Sequence, residues 1–270
     1  MTQHRSNVET HDQRIATPHG ALFVRQWRLH DAGNASPIVL LHDSLGCVAL
    51  WRDFPEQLAL ATRRHVIAYD RLGFGRSDPH PGLLSASFIR DEAQEGFRAV
   101  REALGIDDFI AFGHSVGGGM AAGCAAAFPQ ACHALITESA QAFVEDRTLQ
   151  GIREAQTAFA QPGRIERLGQ YHGDKAECVL HAWMDTWLAP AFKDWTLDDS
   201  LRDVSCPALA LHGDRDEYGS AAHPQRIVDH VRGPATQVLL PDCGHVPHRE
   251  QAAEVLELVV NWLADVDRRG

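Results

Sequence analysis

The chain has no apolar run long enough to cross a membrane, and its opening residues, MTQHRSNVETHDQR, lack the apolar core of a secretory leader. A cytoplasmic protein with no membrane partner is the expectation. Basic residues are in deficit: 25 Lys and Arg stand against 36 Asp and Glu, giving a net charge of −11. A surface of that sign repels polyanions, so nucleic acid is not an expected partner. Cysteine is sparse and scattered. The six (Cys47, Cys124, Cys132, Cys178, Cys206, Cys243) include no CxxC pair, which argues for free, mostly buried thiols in a reducing compartment. No HExxH spacing is present and no GxGxxG follows the first strand, so neither a metal nor a dinucleotide cofactor is expected. No cluster of Arg or Lys marks a phosphate or coenzyme A site. Internal repeats and low-complexity tracts are also missing.

What is present is an alternation of short apolar runs and helical spacings. With 270 residues and 44% apolar content, the chain suits one large domain, or one domain carrying an insertion. The first dozen residues read as frayed, and Ile15–Ala16–Thr17, a Pro18–His19–Gly20 turn and Ala21–Leu29 read as a hairpin entering the sheet. Ile38–Leu41, His65–Tyr69, Phe109–Phe112, Ala134–Thr137, Ala208–Leu211 and Gln237–Leu240 read as strands. Trp51–Ala61, Phe88–Leu104, Gly118–Phe128, Pro224–Val231 and Gln251–Val266 read as helices. Such alternation means a mostly parallel sheet covered on both faces. From about Ala140 to Val204 the strand signal stops and the residues are helical in character. That segment, 140–203, is expected to be a helical lid inserted into a core made of 1–139 and 204–270.

Gly113–His114–Ser115–Val116–Gly117 is G-x-S-x-G between a buried strand and a helix of small residues. This is the context of a nucleophile elbow, where a sharp turn exposes the Ser hydroxyl and the flanking positions must be small. A Ser needs a base to take its proton. The sequence has sixteen His, so position must choose among them. His245 follows the last strand and the small residue Gly244, and is the first choice; His248, whose other role would be surface or structural, is the second. The acid that orients the imidazole follows the preceding strand, in the segment Gly213–Asp214–Arg215–Asp216.

These pieces, with Val39–Leu40–Leu41–His42–Asp43 and Asp70–Arg71–Leu72–Gly73–Phe74–Gly75–Arg76–Ser77, resemble the α/β-hydrolase superfamily, in its lidded, cofactor-free esterase and C–C hydrolase branch. The resemblance runs from Ile15 to Ala264. It implies an eight-stranded, mostly parallel sheet with helices on both faces and an inserted lid. It also implies the acid at the last residue of G-x-x-D, Asp216, ahead of Asp214; Glu138 is a remoter candidate because some relatives move the acid there. One oxyanion-hole donor would be the Val116 N–H. The other would come from the loop after the third strand, where relatives read His-Gly-x-x and this chain reads His42–Asp43–Ser44–Leu45. That donor is Ser44, with Leu45 as the alternative, and Asp43 in place of Gly puts the loop's shape in question. Asp70 and Arg71 read as structural.

His114, Leu45, Trp183, Trp187 and Val246 are expected around the substrate. Trp183 and Trp187 are four apart and share a helix face. With Phe143, Phe159, Phe192 and Trp195 they suggest an apolar underside to the lid. The expected activity is hydrolysis of a small to medium apolar ester or lactone, on a small-molecule substrate and without a cofactor. The alternatives are C–C cleavage of a vinylogous diketone, a cofactor-free dioxygenase or lyase, and a ligand receptor on the same fold.

Overall fold

The computed structural model describes residues 7–82 and 84–269. Its eight strands are β1 (Val8–Thr17), β2 (Gly20–Leu29), β3 (Ile38–Leu41), β4 (Val66–Tyr69), β5 (Phe109–His114), β6 (Cys132–Glu138), β7 (Ala208–Gly213) and β8 (Ala235–Leu240). They form one sheet in the order β1-β2-β4-β3-β5-β6-β7-β8. The β1–β2 and β2–β4 pairings are antiparallel and the rest are parallel. The fold is the mostly parallel α/β arrangement that the alternation predicts.

β3, β4, β5 and β7 are buried along their whole length, which is why their sequences run IVLL, VIAY, FIAFGH and ALALHG with no polar alternation. On one face Phe97, Val100, Met120 and Ala121 pack from the helices Gly96–Leu104 and Val116–Ala127. On the other, Phe54, Leu58, Val255, Val259 and Leu263 pack from Phe54–Thr62 and Ala252–Asp267. The chain runs from β3 outward to β4, then returns to place β5 on the opposite side of β3. The carboxyl ends of β3 and β5 therefore flank the reversal of strand order, where open α/β sheets form their crevice.

Two local expectations are revised. The expected fraying does not hold for Val8 to Asp12, where β1 pairs with β2 without interruption from Val8↔Leu29 to Thr17↔Gly20, and its remainder, residues 1–6, lies outside the described residues. As an edge strand it buries only Val8 and Ile15, so it lacks an apolar rhythm. Its polar side chains bond instead. Asp12 accepts two hydrogen bonds from Arg25, at 2.6 and 2.7 Å, and one from Arg76 at 3.0 Å. The helix expected over Phe88–Leu104 is broken into Phe88–Asp91 and Gly96–Leu104. At the break the half-buried Glu92 accepts the Tyr69 hydroxyl at 2.7 Å, and a side chain on Gly96 would strike that carboxylate.

Between β6 and β7 lie the helices Asp146–Phe159, Arg164–His172, Ala176–Trp187 and Asp198–Leu201. The strand-like pairing among the described residues there is a single bridge, Phe143–Thr196. β6 and β7 pair directly, Leu135↔Ala208 to Glu138↔Leu211, so the intervening residues leave the sheet unbroken.

Candidate active site

β5 ends at His114, and Ser115 turns the chain into the helix Val116–Ala127 with φ 56° and ψ −126°, strained for a residue with a side chain. The turn is tight because its flanks are bare. A Cβ on Gly113 would lie 2.0 Å from the Gly117 carbonyl oxygen, and one on Gly117 would lie 2.1 Å from that of Leu41. The Ser115 N–H donates to the Glu138 carbonyl at 2.8 Å.

His245 reaches Ser115 from the loop after β8, with Nε2 3.0 Å from Oγ. That loop is held from below by one side chain: Glu250 accepts the N–H groups of Gly244 at 2.8 Å and Val246 at 2.9 Å. It also needs Gly213, where a Cβ would meet the Gly244 carbonyl oxygen at 2.2 Å. On the far side of the ring, His245 Nδ1 lies 2.9 and 2.8 Å from the two carboxylate oxygens of Asp216. Asp216 also accepts the Tyr218 N–H at 2.7 Å, and His212 Nε2 lies 3.3 Å from it. Burial of Asp216 opposes ionisation, but the hydrogen bond and charge of His245 outweigh it and hold the carboxyl below its usual range. The neighbouring segment braces this loop: Arg147 donates to the Asp216 carbonyl at 3.1 Å and Thr148 to that of Tyr218 at 2.6 Å.

The other candidates separate. Asp214 is exposed and does not touch His245. Glu138 and His248 are both buried and bond to each other, Nδ1 to Oε2 at 2.5 Å, so Glu138 does not serve His245 and His248 is no surface residue. Asp70 and Arg71 act within loops. Asp70 accepts the N–H groups of Val48 and Arg76, both at 2.6 Å, and Arg71 donates to the Asp43 carbonyl at 3.0 Å.

The loop after β3 is shaped by Asp43. Its carboxylate accepts the Leu45 N–H at 2.8 Å and lies 3.4 Å from Nδ1 of the buried His114. His114 in turn donates from Nε2 to the His245 carbonyl at 2.8 Å. Burial disfavours the His114 imidazolium, yet Asp43 and Glu138 outweigh it and raise its pKa to about 9, while Asp43 is held far below the carboxylate range. The Leu45 N–H is thus engaged. The Ser44 N–H has no partner among the described residues, and neither does the N–H of Val116 at the first position of its helix.

Ser115 opens onto a cavity of about 360 Å³. All five residues expected around the substrate line it: His114, Leu45, Trp183, Trp187 and Val246. Trp187 is also packed on Phe192 and Trp195, at 5.2 and 5.6 Å between ring centres, and Phe143 stacks on His223 at 4.4 Å, so part of the aromatic set only packs. A larger cavity, about 560 Å³, contains neither Ser115 nor His245. Three features of the site escaped sequence reading. Gln141 lies 3.3 Å from the Ser115 hydroxyl through Oε1; turned over, its amide would donate to Oγ and leave the hydroxyl proton for His245. Arg164, Arg167 and Arg249 all line the cavity, so basic side chains scattered in the sequence do gather in space. His114, Glu138 and His248 bring potential ligand atoms within 4.8 Å of one another, a group that linear spacing could not reveal.

A doubly covered sheet with a strained Ser at the tip of β5, facing a buried Asp from the loop after β7 and a His from the loop after β8, is the arrangement of the α/β-hydrolase fold. The chain is similar to the α/β-hydrolase superfamily: the profile described as alpha/beta hydrolase fold matches residues 36–162. The human 1-acylglycerol-3-phosphate O-acyltransferase ABHD5 is 36% identical over 117 residues, 43% of this chain and 33% of that protein. The chain therefore spans about a third of the length of that relative. The 2-hydroxymuconate semialdehyde hydrolase of Pseudomonas sp. strain CF600 is 26% identical over 263 residues, covering 88% of this chain and 90% of that one. The structure of 2-hydroxy-6-oxo-6-phenylhexa-2,4-dienoate hydrolase from Rhodococcus sp. strain RHA1 shares the fold. It has a TM-score of 0.73 and 18% identity, over 94% of this chain and 98% of that one.

Proposed function

We propose that the protein is a serine hydrolase that cleaves a small to medium apolar carboxylic ester or lactone through an acyl-serine. The supporting observation is the unbroken chain from Ser115 Oγ to His245 Nε2 at 3.0 Å and from His245 Nδ1 to buried Asp216 at 2.8 Å. His245 takes the Ser115 proton as Oγ attacks the carbonyl carbon. The oxygen that gains charge is met by the unpartnered N–H groups of Val116 and Ser44. His245 passes its proton to the leaving alcohol, then removes one from the water that releases the acid. Asp216 stays ionised, fixing the imidazole tautomer and balancing its charge. Residues 140–203 act as a lid whose inner face supplies Trp183 and Trp187 to the cavity wall. No helix among the described residues is long and apolar enough to cross a membrane. Six free cysteines suit the cytoplasm.

A second reading, hydrolysis of a C–C bond in a ring-fission vinylogous diketone, is favoured by the alignment with 2-hydroxymuconate semialdehyde hydrolase over 88% of this chain. The test uses 4-nitrophenyl esters of graded acyl length, a ring-fission dienoate and a fluorophosphonate label, beside Ser115→Ala. Ester turnover that disappears in Ser115→Ala supports the esterase. Turnover of the dienoate alone supports the C–C hydrolase. Absence of both turnover and labelling overturns both, in favour of a non-acylating enzyme or a receptor.

A further inference from the structure

We infer that the mouth of this cavity is an anion-binding subsite made by Arg164, Arg167 and Arg249, and that the substrate carries a carboxylate or phosphate remote from the bond it loses. The substrate clause rests on the hydrolase reading above; the subsite itself does not. All three side chains line the cavity that holds Ser115 and His245, and all three are exposed, which puts them at its rim. Arg164 and Arg167 lie three apart on the helix Arg164–His172 and so share a face. Arg249 comes from the short helix after His245, so the core and the segment between β6 and β7 both contribute.

None of the three guanidinium groups has a carboxylate partner among the described residues. Elsewhere the chain pairs arginine in two-pronged fashion, as in Arg25 with Asp12 and Arg226 with Asp198, and Arg64 donates from one nitrogen to both oxygens of Asp267. Two acids of that neighbourhood are already engaged. Asp43, the carboxylate in the cavity wall, is held by His114 and the Leu45 N–H. Glu250, next to Arg249, is occupied by the N–H groups of Gly244 and Val246. A protein of net charge −11 has therefore left three like charges unneutralised around one opening. Guanidinium forks match the planar oxygens of carboxylate and phosphate. Deeper in, Ile152, Phe159, Leu168 and Trp183 make the wall apolar. The ligand that satisfies both halves has an apolar stretch against the lid and an anion at the solvent end.

The experiment compares the 4-nitrophenyl monoester of adipic acid with its methyl-capped diester, which differs by that one charge. The readout is the ratio of the two kcat/KM values within each protein, so losses common to both substrates cancel. Wild type should favour the charged ester by roughly tenfold at low salt, the scale of one charge-assisted pair. The preference should shrink as salt screens it. It should vanish in Arg164→Gln/Arg167→Gln/Arg249→Gln, and Arg167→Glu should move the ratio below that of Arg167→Gln. A phosphonate counterpart of the adipate ester tells the two anions apart, because the better substrate names the group. Binding of adipate to Ser115→Ala, followed by calorimetry, reads the subsite without turnover: salt-sensitive binding that the triple change removes supports it even if no ester is cleaved. A wild-type ratio of one or less, a ratio the triple change leaves alone, or no adipate binding in either protein would overturn the subsite. The hydrolase reading fails separately, on loss of both ester turnover and Ser115 labelling.

Discussion

Asp43 and His114 meet 3.4 Å apart between the loop after β3 and the tip of β5, and through His114 Nε2 the contact extends to the backbone carbonyl of His245. Three loops around the candidate site are thus tied through one imidazole, by an ion pair on one side and a hydrogen bond on the other. Asp43→Ala removes both the charge and the acceptor of the Leu45 N–H. It should cost activity roughly tenfold to a hundredfold by loosening the Ser44 donor, and about 1–3 kcal/mol of stability by orphaning buried His114. Asp43→Asn keeps an acceptor and should retain more activity. Steady-state rates and denaturant midpoints check both.

The same pair predicts a pH dependence. His114 has a folded-state pKa of about 9, above the 6.5 of a free imidazole. Its contribution is therefore fully present below the unfolded value and is lost as pH rises through the folded one. Stability measured by denaturant should fall between neutral pH and about 10, by an amount on the order of 1–3 kcal/mol. In Asp43→Asn that fall should be markedly smaller. An identical profile in the variant would disprove the assignment of the charge.

Ser115 sits at φ 56° with a side chain that the turn does not favour. Ser115→Gly should raise stability by about 1–2 kcal/mol while turnover disappears. Ser115→Ala should also lose turnover, by a factor on the order of 10⁴ or more, without that gain. Thermal melts of the three proteins separate relief of strain from loss of the hydroxyl.

Asp216→Asn should lower kcat roughly 10³- to 10⁴-fold, because the amide can hold His245 in the wrong tautomer. Asp214→Asn, at an exposed position that does not touch the imidazole, should stay within about threefold, as surface changes usually do. Equal losses from the two would show that the acid is misassigned.

Glu250 touches neither Ser115 nor Asp216, yet it fixes the residues on both sides of His245. Glu250→Ala frees two backbone donors and lets the imidazole drift. Since small misplacements of a reacting group are costly, activity should fall about tenfold to a hundredfold. Fluorophosphonate labelling of Ser115 should slow in parallel while the protein stays folded.

What could be read from the sequence is what depends on neighbours along the chain. IVLL, VIAY and FIAFGH admit no exposed face, and Gly113 to Gly117 allow a tight strand-to-helix turn, so sheet and elbow are local facts. His245 stands out by the small residue before it. Only the last three residues of β1, Ile15 to Thr17, were legible as the start of a hairpin; the rest stayed hidden because an edge strand with polar side chains on its open face has no apolar rhythm to read. The choice between Ser44 and Leu45 turns on one hydrogen bond from the Leu45 N–H to Asp43, which spacing does not encode. Gln141, the His248–Glu138 pair and the three arginines were illegible for a different reason. Each is defined by contacts between residues far apart in sequence, which exist only after the sheet has brought the loops to one edge.

The direct pairing of β6 with β7 has a consequence for how such a protein can change. The residues between them enter and leave at adjacent strands, so they can be lengthened, shortened or exchanged without shifting the register of the sheet. Arg164, Arg167, Trp183 and Trp187 travel with that exchangeable piece, while Ser115, His245 and Asp216 remain behind. On the proposed reading, recognition and reactivity would thus be inherited separately. The seam is its first turn, where Arg147 and Thr148 brace the Asp216 loop, and a graft that keeps those two residues should bring a new appetite to an old reaction.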